Sequence, residues 1–474
     1  MRFITSFACL WNVALAASSL SQITTDGNKF YTKDGTQFFI KGVAYQLSPD
    51  DPLLDGDQCS RDAELMSTLG VNTIRVYHVD PKSSHDDCMA AFAKAGIYTL
   101  IDLDTFDTYI LSPTMSGPSW TQTQYDRYAA VQDAFLSYDN VLGFFIGNEV
   151  IAEADQSLAA PFIKAAVRDM KAYQKSKGGR AIPIGYSAAD IAELRPMLQD
   201  YLTCGGKPDE NIDFFSLNSY EWCDPSSYKT SGYENLEDQA KNFPVPIFFS
   251  ETGCNTPGPR LFADQAAIFG PDMVNDWSGS IIYEWIQEAN NYGLISYGSS
   301  ADDSATSGTP VPISPDFANL KSQWATLSPT GVPRSANTGA VSTRSCPAST
   351  AGGWLVDGNV PLPTLGASLS AVGASTTSGS ATATETASPE AGGTKGSTHG
   401  TTAGTTGGKT TGTTAGSTAG STPGSPSAAA SGGSGSTPSS ASSLAPNGLG
   451  IFGRKFTAAG AALIGVTLVF AVWL

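Results

Sequence analysis

Histidine is almost missing from this 474-residue chain: His78, His85 and His399 are all there is. Neither an HExxH pattern nor a CxxC pair occurs. A zinc site needs clustered imidazole or thiolate ligands and a Ser-His-Asp hydrolase needs a histidine base, so both are poorly supplied. Positive charge is scarce too. Lys and Arg number 27 against 44 Asp and Glu, a net charge of −17. That excess disfavours nucleic acid as a partner, because phosphate binding needs a basic surface. No Asn-X-Ser/Thr sequon is present, so N-linked glycans are not expected. Between Trp354 and Phe452 there is no aromatic residue at all. Catalysis, if there is any, falls to carboxylates, with no metal or cofactor needed.

What is present begins with two processing signals. Arg2, an apolar region over 3–15 and the small residues at 14–18 read as a secretory signal peptide, cut after Ala16 or Ser18. At the other end Arg454 and Lys455 precede an apolar tail, 456–474, with small residues upstream at 439–443. That order fits a glycolipid (GPI) anchor signal, with Ala441 and Ser443 both suited to attachment. A single transmembrane helix is the alternative, since ~20 apolar residues span a bilayer. Of seven Cys, Cys9 leaves with the signal. Cys59, Cys88, Cys204, Cys223, Cys254 and Cys346 remain, an even number in an oxidising compartment, and three bridges are expected. Cys254 stands three residues after Glu251, so one bridge is expected to brace that loop.

Apolar runs of strand length recur at 38–44, 73–77, 98–103, 141–150, 182–187, 213–218, 245–250 and 279–285. Helical spacing falls between them at 60–69, 89–95, 122–137 and 159–175, and a last helix is expected over 317–327. Strands buried on both faces and alternating with helices count out an α/β fold, a (β/α)8 TIM barrel. From 347 the composition turns to Ser, Thr, Gly, Ala and Pro, which cannot offset its own ordering entropy. The expected organisation is a signal peptide over 1–18 and a catalytic barrel over 19–346. A disordered, O-glycosylated Ser/Thr/Gly-rich stalk over 347–443 and an anchor signal over 444–474 follow.

Two of those strands carry the chemistry. The run at 141–150 stops at Asn148 and Glu149, and the run at 245–250 stops at Glu251. Barrels work at the C-terminal ends of their strands, so both carboxylates reach one rim. An acid that protonates a leaving oxygen, facing a carboxylate at the anomeric carbon, is the requirement for glycoside cleavage; at ~5 Å separation the second attacks and configuration is retained. Asn148 suits a sugar 2-hydroxyl, and Tyr220 suits donation to the nucleophile. Duller readings stand beside these. A glutamate at a strand end also serves as a cap or ion-pair partner, Tyr77, Tyr283 and Trp285 also serve as packing, and Asp102, Asp190 and Arg195 as a structural ion pair.

The segments Gly147-Asn148-Glu149-Val150, Ser187-Ala188-Ala189-Asp190 with Arg195, Asn218-Ser219-Tyr220-Glu221-Trp222-Cys223, Phe249-Ser250-Glu251-Thr252-Gly253-Cys254-Asn255 and Tyr283-Glu284-Trp285 resemble glycoside hydrolase family 72. Those are the GPI-anchored β-1,3-glucanosyltransferases of fungal cell walls, and the resemblance covers 20–346. It implies Glu149 as acid/base and Glu251 as nucleophile. It also implies glucan contacts through Gln46, Tyr77, Asp102, Asn148, Asp190, Arg195, Tyr220 and Tyr283, and bridges Cys59–Cys88, Cys204–Cys346 and Cys223–Cys254. No Cys-rich carbohydrate-binding module of the longer members follows the barrel, so substrate capture is expected to rest on the groove. The expected protein is a monomer on the outer face of the plasma membrane and in the wall, acting on β-1,3-glucan donor and acceptor chains. A retaining endo-β-1,3-glucanase and a non-catalytic wall adhesin are the alternatives.

Overall fold

The computed structural model describes residues 20–47, 51–104, 107–112, 115–298, 305–337 and 344–368. Its centre is a closed ring of eight strands: β1 (Ile40–Ala44), β2 (Thr73–Val76), β3 (Tyr98–Asp102), β4 (Val141–Asn148), β5 (Ile184–Ala189), β6 (Phe214–Asn218), β7 (Ile247–Thr252) and β8 (Trp277–Ile282). Each pairs in parallel with the next, and β8 closes onto β1 through Gly279 opposite Ile40. Gly279 has φ +116, and a Cβ there would stand 2.1 Å from the Ile40 carbonyl oxygen, so only glycine lets this seam close. The helices α1 (Gly56–Leu69), α2 (Asp86–Lys94), α3 (Gln122–Phe135), α4 (Ala160–Lys177), α5 (Arg195–Thr203), α6 (Tyr233–Ala240), α7 (Asp264–Ile268) and α8 (Asp316–Thr326) complete the chain order. Side-chain caps start two of them: Asp55 accepts from the Gln58 N–H before α1, and Thr121 with Gln124 forms a capping box before α3. The (β/α)8 barrel expected from strand spacing is the fold observed.

Several boundaries move, each for a physical reason. The fifth strand starts at Ile184 rather than 182, since Pro183 has no N–H to give the ladder. The eighth starts at Trp277 and stops at Ile282, so Tyr283, Glu284 and Trp285 lie beyond the sheet. Ahead of the barrel, Thr24–Asp26, Lys29–Tyr31 and Gln37–Phe38 form a small antiparallel sheet. Phe30 from that sheet packs against Phe214 and Phe248, each 6.0 Å away, and so fills the lower end of the barrel. The folded part also runs past 346. Trp354, 1% exposed, packs 5.6 Å from the Tyr201 ring, and Leu355 donates its N–H to Ser157 Oγ. Arg168 donates to the Pro363 carbonyl, and Gly366 N–H donates to the Trp120 carbonyl. Residues 344–368 thus form a strap along α3–α5, where the composition suggested stalk.

Three disulfides join Cys59 to Cys88, Cys204 to Cys346 and Cys223 to Cys254. The second ties the strap to the end of α5. Among the described residues no helix is long and apolar enough to cross a membrane. The signal peptide, the stalk beyond 368 and the anchor signal lie outside the described residues.

Candidate active site

Every barrel strand delivers an expected residue to the same rim: Gln46 after β1, Tyr77 after β2, Asp102 ending β3, Asn148 ending β4 with Glu149 next, Asp190 after β5, Tyr220 after β6, Glu251 in β7 and Tyr283 after β8. Two local distortions aim the glutamates. The register between β4 and β5 slips before Asn148, and the register between β7 and β6 slips before Glu251. Such bulges re-aim side chains at the mouths of barrels. Glu149 itself has φ +48, a left-handed conformation that costs a non-glycine residue about 1–2 kcal/mol. Its N–H still bonds the Ser187 carbonyl, so the chain is held while the carboxylate turns inward.

Arg75 is the hub. Inside β2 and fully buried, it donates from Nε and Nη2 to both oxygens of Asp102 at 3.1 and 2.8 Å. Nη2 also reaches Asn148 Oδ1 at 2.9 Å, and Nη1 reaches Ser187 Oγ at 3.2 Å and Glu251 Oε1 at 3.3 Å. Its guanidinium lies 4.3 Å from the Tyr77 ring and 4.4 Å from that of Phe145. Burial works against this charge, but the Asp102 carboxylate, and Glu251 beyond it, keep Arg75 ionised.

Around Glu251 three donors converge: Arg75 and Tyr77 OH (3.0 Å) on Oε1, and Tyr220 OH (2.9 Å) on Oε2. Glu149 Oε1 accepts from Asn218 Nδ2 at 2.8 Å. Burial pushes Glu251 up to about 7; Arg75 and the tyrosines pull it down, while the charge of Glu149 raises it further. Burial raises Glu149 as well, opposed by Asn218 and Arg75. Two carboxyl groups in one dry cleft resist ionising together. Burial thus favours a neutral Glu251, while its three donors, against one on Glu149, favour its charged form.

The other expected residues take varied places. Asp102 has both oxygens taken by Arg75. Asp190 and Arg195 pair with each other, and Arg195 also donates to Gln239 at 2.8 Å, apart from the glutamate network. Tyr283 stands edge-on to Tyr220 with 6.4 Å between ring centres, and Gln46 is half-buried at the rim. Trp285 is fully buried beside the Asp62 carboxyl, which Tyr45, Tyr297 and Gln58 also hold, so it packs rather than lines the cleft. The Cys223–Cys254 bridge links the segments after Tyr220 and Glu251.

Sequence reasoning does not name Arg75, and it quotes Asn218, Ser187 and Ser250 within motifs but gives them no role. For Arg75 a signal existed: a cation inside the apolar run 73–77 is expected only where partners are waiting. The polar residues of β5, β6 and β7 give no such signal, since only the closed barrel makes them neighbours.

A family model described as Glucanosyltransferase, glycoside hydrolase 72, matches residues 12–328. This chain belongs to glycoside hydrolase family 72. Protein EPD1 of Candida maltosa is 44% identical over 352 residues, covering 72% of this chain and 62% of that protein. The chain therefore spans less than two thirds of that relative. The 1,3-beta-glucanosyltransferase gel1 of Aspergillus fumigatus is 41% identical, covering 74% of this chain and 75% of that one. Among solved structures, Saccharomyces cerevisiae Gas2p, a point mutant in complex with laminaritetraose and laminaripentaose, is 38% identical with a TM-score of 0.66. The match covers 73% of this chain and 75% of Gas2p. The family 72 match ends at 328, before the strap over 344–368.

Proposed function

We propose that this family 72 chain is a retaining β-1,3-glucanosyltransferase, with Glu251 as nucleophile and Glu149 as acid/base. The observation that carries it is the asymmetry of the two glutamates: three hydrogen-bond donors meet Glu251, whereas Asn218 is the donor seen on Glu149. A carboxylate so surrounded is held ready to attack, and its neighbour is left to carry a proton. In the first step a Glu251 oxygen bonds the anomeric carbon, the glycosidic C–O bond breaks, and the Glu149 proton goes to the departing oxygen. Next, the 3-hydroxyl at the non-reducing end of a second glucan attacks that carbon. Its proton passes to Glu149 and the Glu251 ester bond breaks. Both enzyme groups return to their starting state, and one chain is longer.

Asn148 supports this reading. Its Oδ1 accepts from both Arg75 and Asn218, which leaves its amide nitrogen to donate to the sugar 2-hydroxyl. Glucan binding along the rim is assigned to Gln46, Tyr77, Tyr220 and Tyr283, with Asp102 and the Asp190–Arg195 pair holding neighbouring groups in place. Secretion, a GPI anchor at Ala441 or Ser443, a stalk beyond the strap and action as a monomer at the wall complete the proposal. Incubation with reduced laminari-oligosaccharides tests it: products longer than the input are expected. Shorter products alone would make the protein a glucanase, and no change in chain length would leave a wall-binding protein.

A further inference from the structure

We propose that Asn218 is a positioning residue that locks Glu149 and Asn148 into one unit, its own orientation set by the hydroxyls beneath it. The inference rests on the reading of Glu149 as acid/base. Asn218 ends β6, 4% exposed, next to β7 with its Glu251 and one strand away from β4, which Glu149 follows. Its Oδ1 accepts from Ser187 Oγ at 3.0 Å and Ser250 Oγ at 2.7 Å. Its Nδ2 forks to Asn148 Oδ1 at 3.1 Å and Glu149 Oε1 at 2.8 Å.

The polarity of this cluster follows from Arg75. A guanidinium only donates, so Ser187 Oγ must accept from it and turn its own proton elsewhere. The Ser187 and Ser250 hydroxyls stand 2.9 Å apart, and whichever of them donates to the other, at least one proton remains for Asn218 Oδ1. An amide oxygen that receives a hydroxyl proton is held against flipping, since the flip would set an N–H against that proton. Both hydrogens of Nδ2 therefore face Asn148 and Glu149, and neither acceptor can rotate without losing its bond. Glutamate as acid gives up its proton in the first step and as base takes one in the second. A donor fixed on Oε1 favours the charged form between those steps and leaves Oε2 to carry the proton.

The test compares wild type, Asn218→Ala and the double variant Ser187→Ala/Ser250→Ala, which frees the amide without deleting it. Two donors are used: reduced laminari-oligosaccharide and a dinitrophenyl β-laminarioligoside, whose leaving group needs no acid. With Asn218→Ala the alkaline limb of kcat/KM on the oligosaccharide is expected to rise by about one pH unit. The acid limb should stay put and the rate should drop about 10- to 100-fold. On the dinitrophenyl donor the burst of dinitrophenol should remain while the steady state slows. The double variant should shift the limb the same way by less. A uniform loss on both donors with neither limb moved would mean that Asn218 serves folding alone and would overturn the inference. Glu149→Gln separates the two layers. If it leaves oligosaccharide cleavage intact, the acid/base assignment itself is wrong; if it abolishes cleavage but Asn218→Ala moves nothing, only the positioning role fails.

Discussion

The two ends of the barrel interior share the same eight strands, with Phe30 of the N-terminal sheet plugging the lower one, and have opposite characters. At the lower end Phe30, Phe145, Phe214 and Phe248 pack ring against ring at 5.3–6.4 Å, fully buried. At the upper end an arginine, three carboxyl groups, two asparagines and four hydroxyl-bearing neighbours share one hydrogen-bond network. The change happens over one contact, where the Arg75 guanidinium lies 4.4 Å from the Phe145 ring. The lower end is close-packed hydrocarbon, which is where stability comes from. The upper end is strained at Glu149 and holds carboxyl groups that burial makes reluctant to ionise. A rigid floor lets charged groups stay aimed without reorganising at the moment of reaction.

Substitutions should separate the two ends. Glu149→Gln or Glu251→Gln is expected to lower transglycosylation by several orders of magnitude without lowering the melting temperature. Relative to wild type, Glu251→Gln should even gain stability as pH rises. The folded carboxyl titrates near 7, above the ~4.3 of an unfolded glutamate. Its contribution is whole below the unfolded value and is lost as pH climbs through 7. Melting scans should therefore coincide with wild type at pH 4 and favour the variant at pH 8; equal melting at both would refute the burial of Glu251. Arg75→Met sits on the border and should damage both ends, costing about 3–5 kcal/mol because Asp102 and Glu251 lose their cation. Phe214→Ala is expected to cost a similar ~3–5 kcal/mol, measured by denaturant unfolding. Its activity per folded molecule at low temperature should stay within a few-fold of wild type. Dithiothreitol should lower the melting temperature, with each bridge worth about 2–4 kcal/mol. Activity should fall alongside through Cys223–Cys254. Smallest is Tyr220→Phe, which removes one donor from Glu251; kcat/KM should fall about tenfold and its acid limb rise by a fraction of a pH unit.

This contrast also explains what could be read from the residues alone. Strands buried on both faces announce themselves as apolar runs, so all eight were found, and Glu149 and Glu251 stood out as charges where those runs end. The helices α5 and α6 were missed because eight or nine residues hold barely two turns of periodicity. The strap was read as stalk because its few apolar anchors, Trp354 and Val356, are diluted among Thr, Gly and Pro and find partners only on helices distant in sequence. Asn218, Ser187 and Ser250 are ordinary polar residues along the chain. Their meaning arises when β5, β6 and β7 stand side by side.

The aromatic floor has a consequence for how the molecule is made. Phe30 leaves a ribosome well ahead of its partners in β6 and β7, which lie some two hundred positions later. Lys29, beside it, donates to the Asn275 carbonyl, later still. An entropically expensive closure is thus deferred until nearly the whole ring has been synthesised. Through that interval a phenylalanine meant for the sealed base of a cylinder has nothing to cover it, and a nascent chain halted there would present the greasy surface that folding helpers bind.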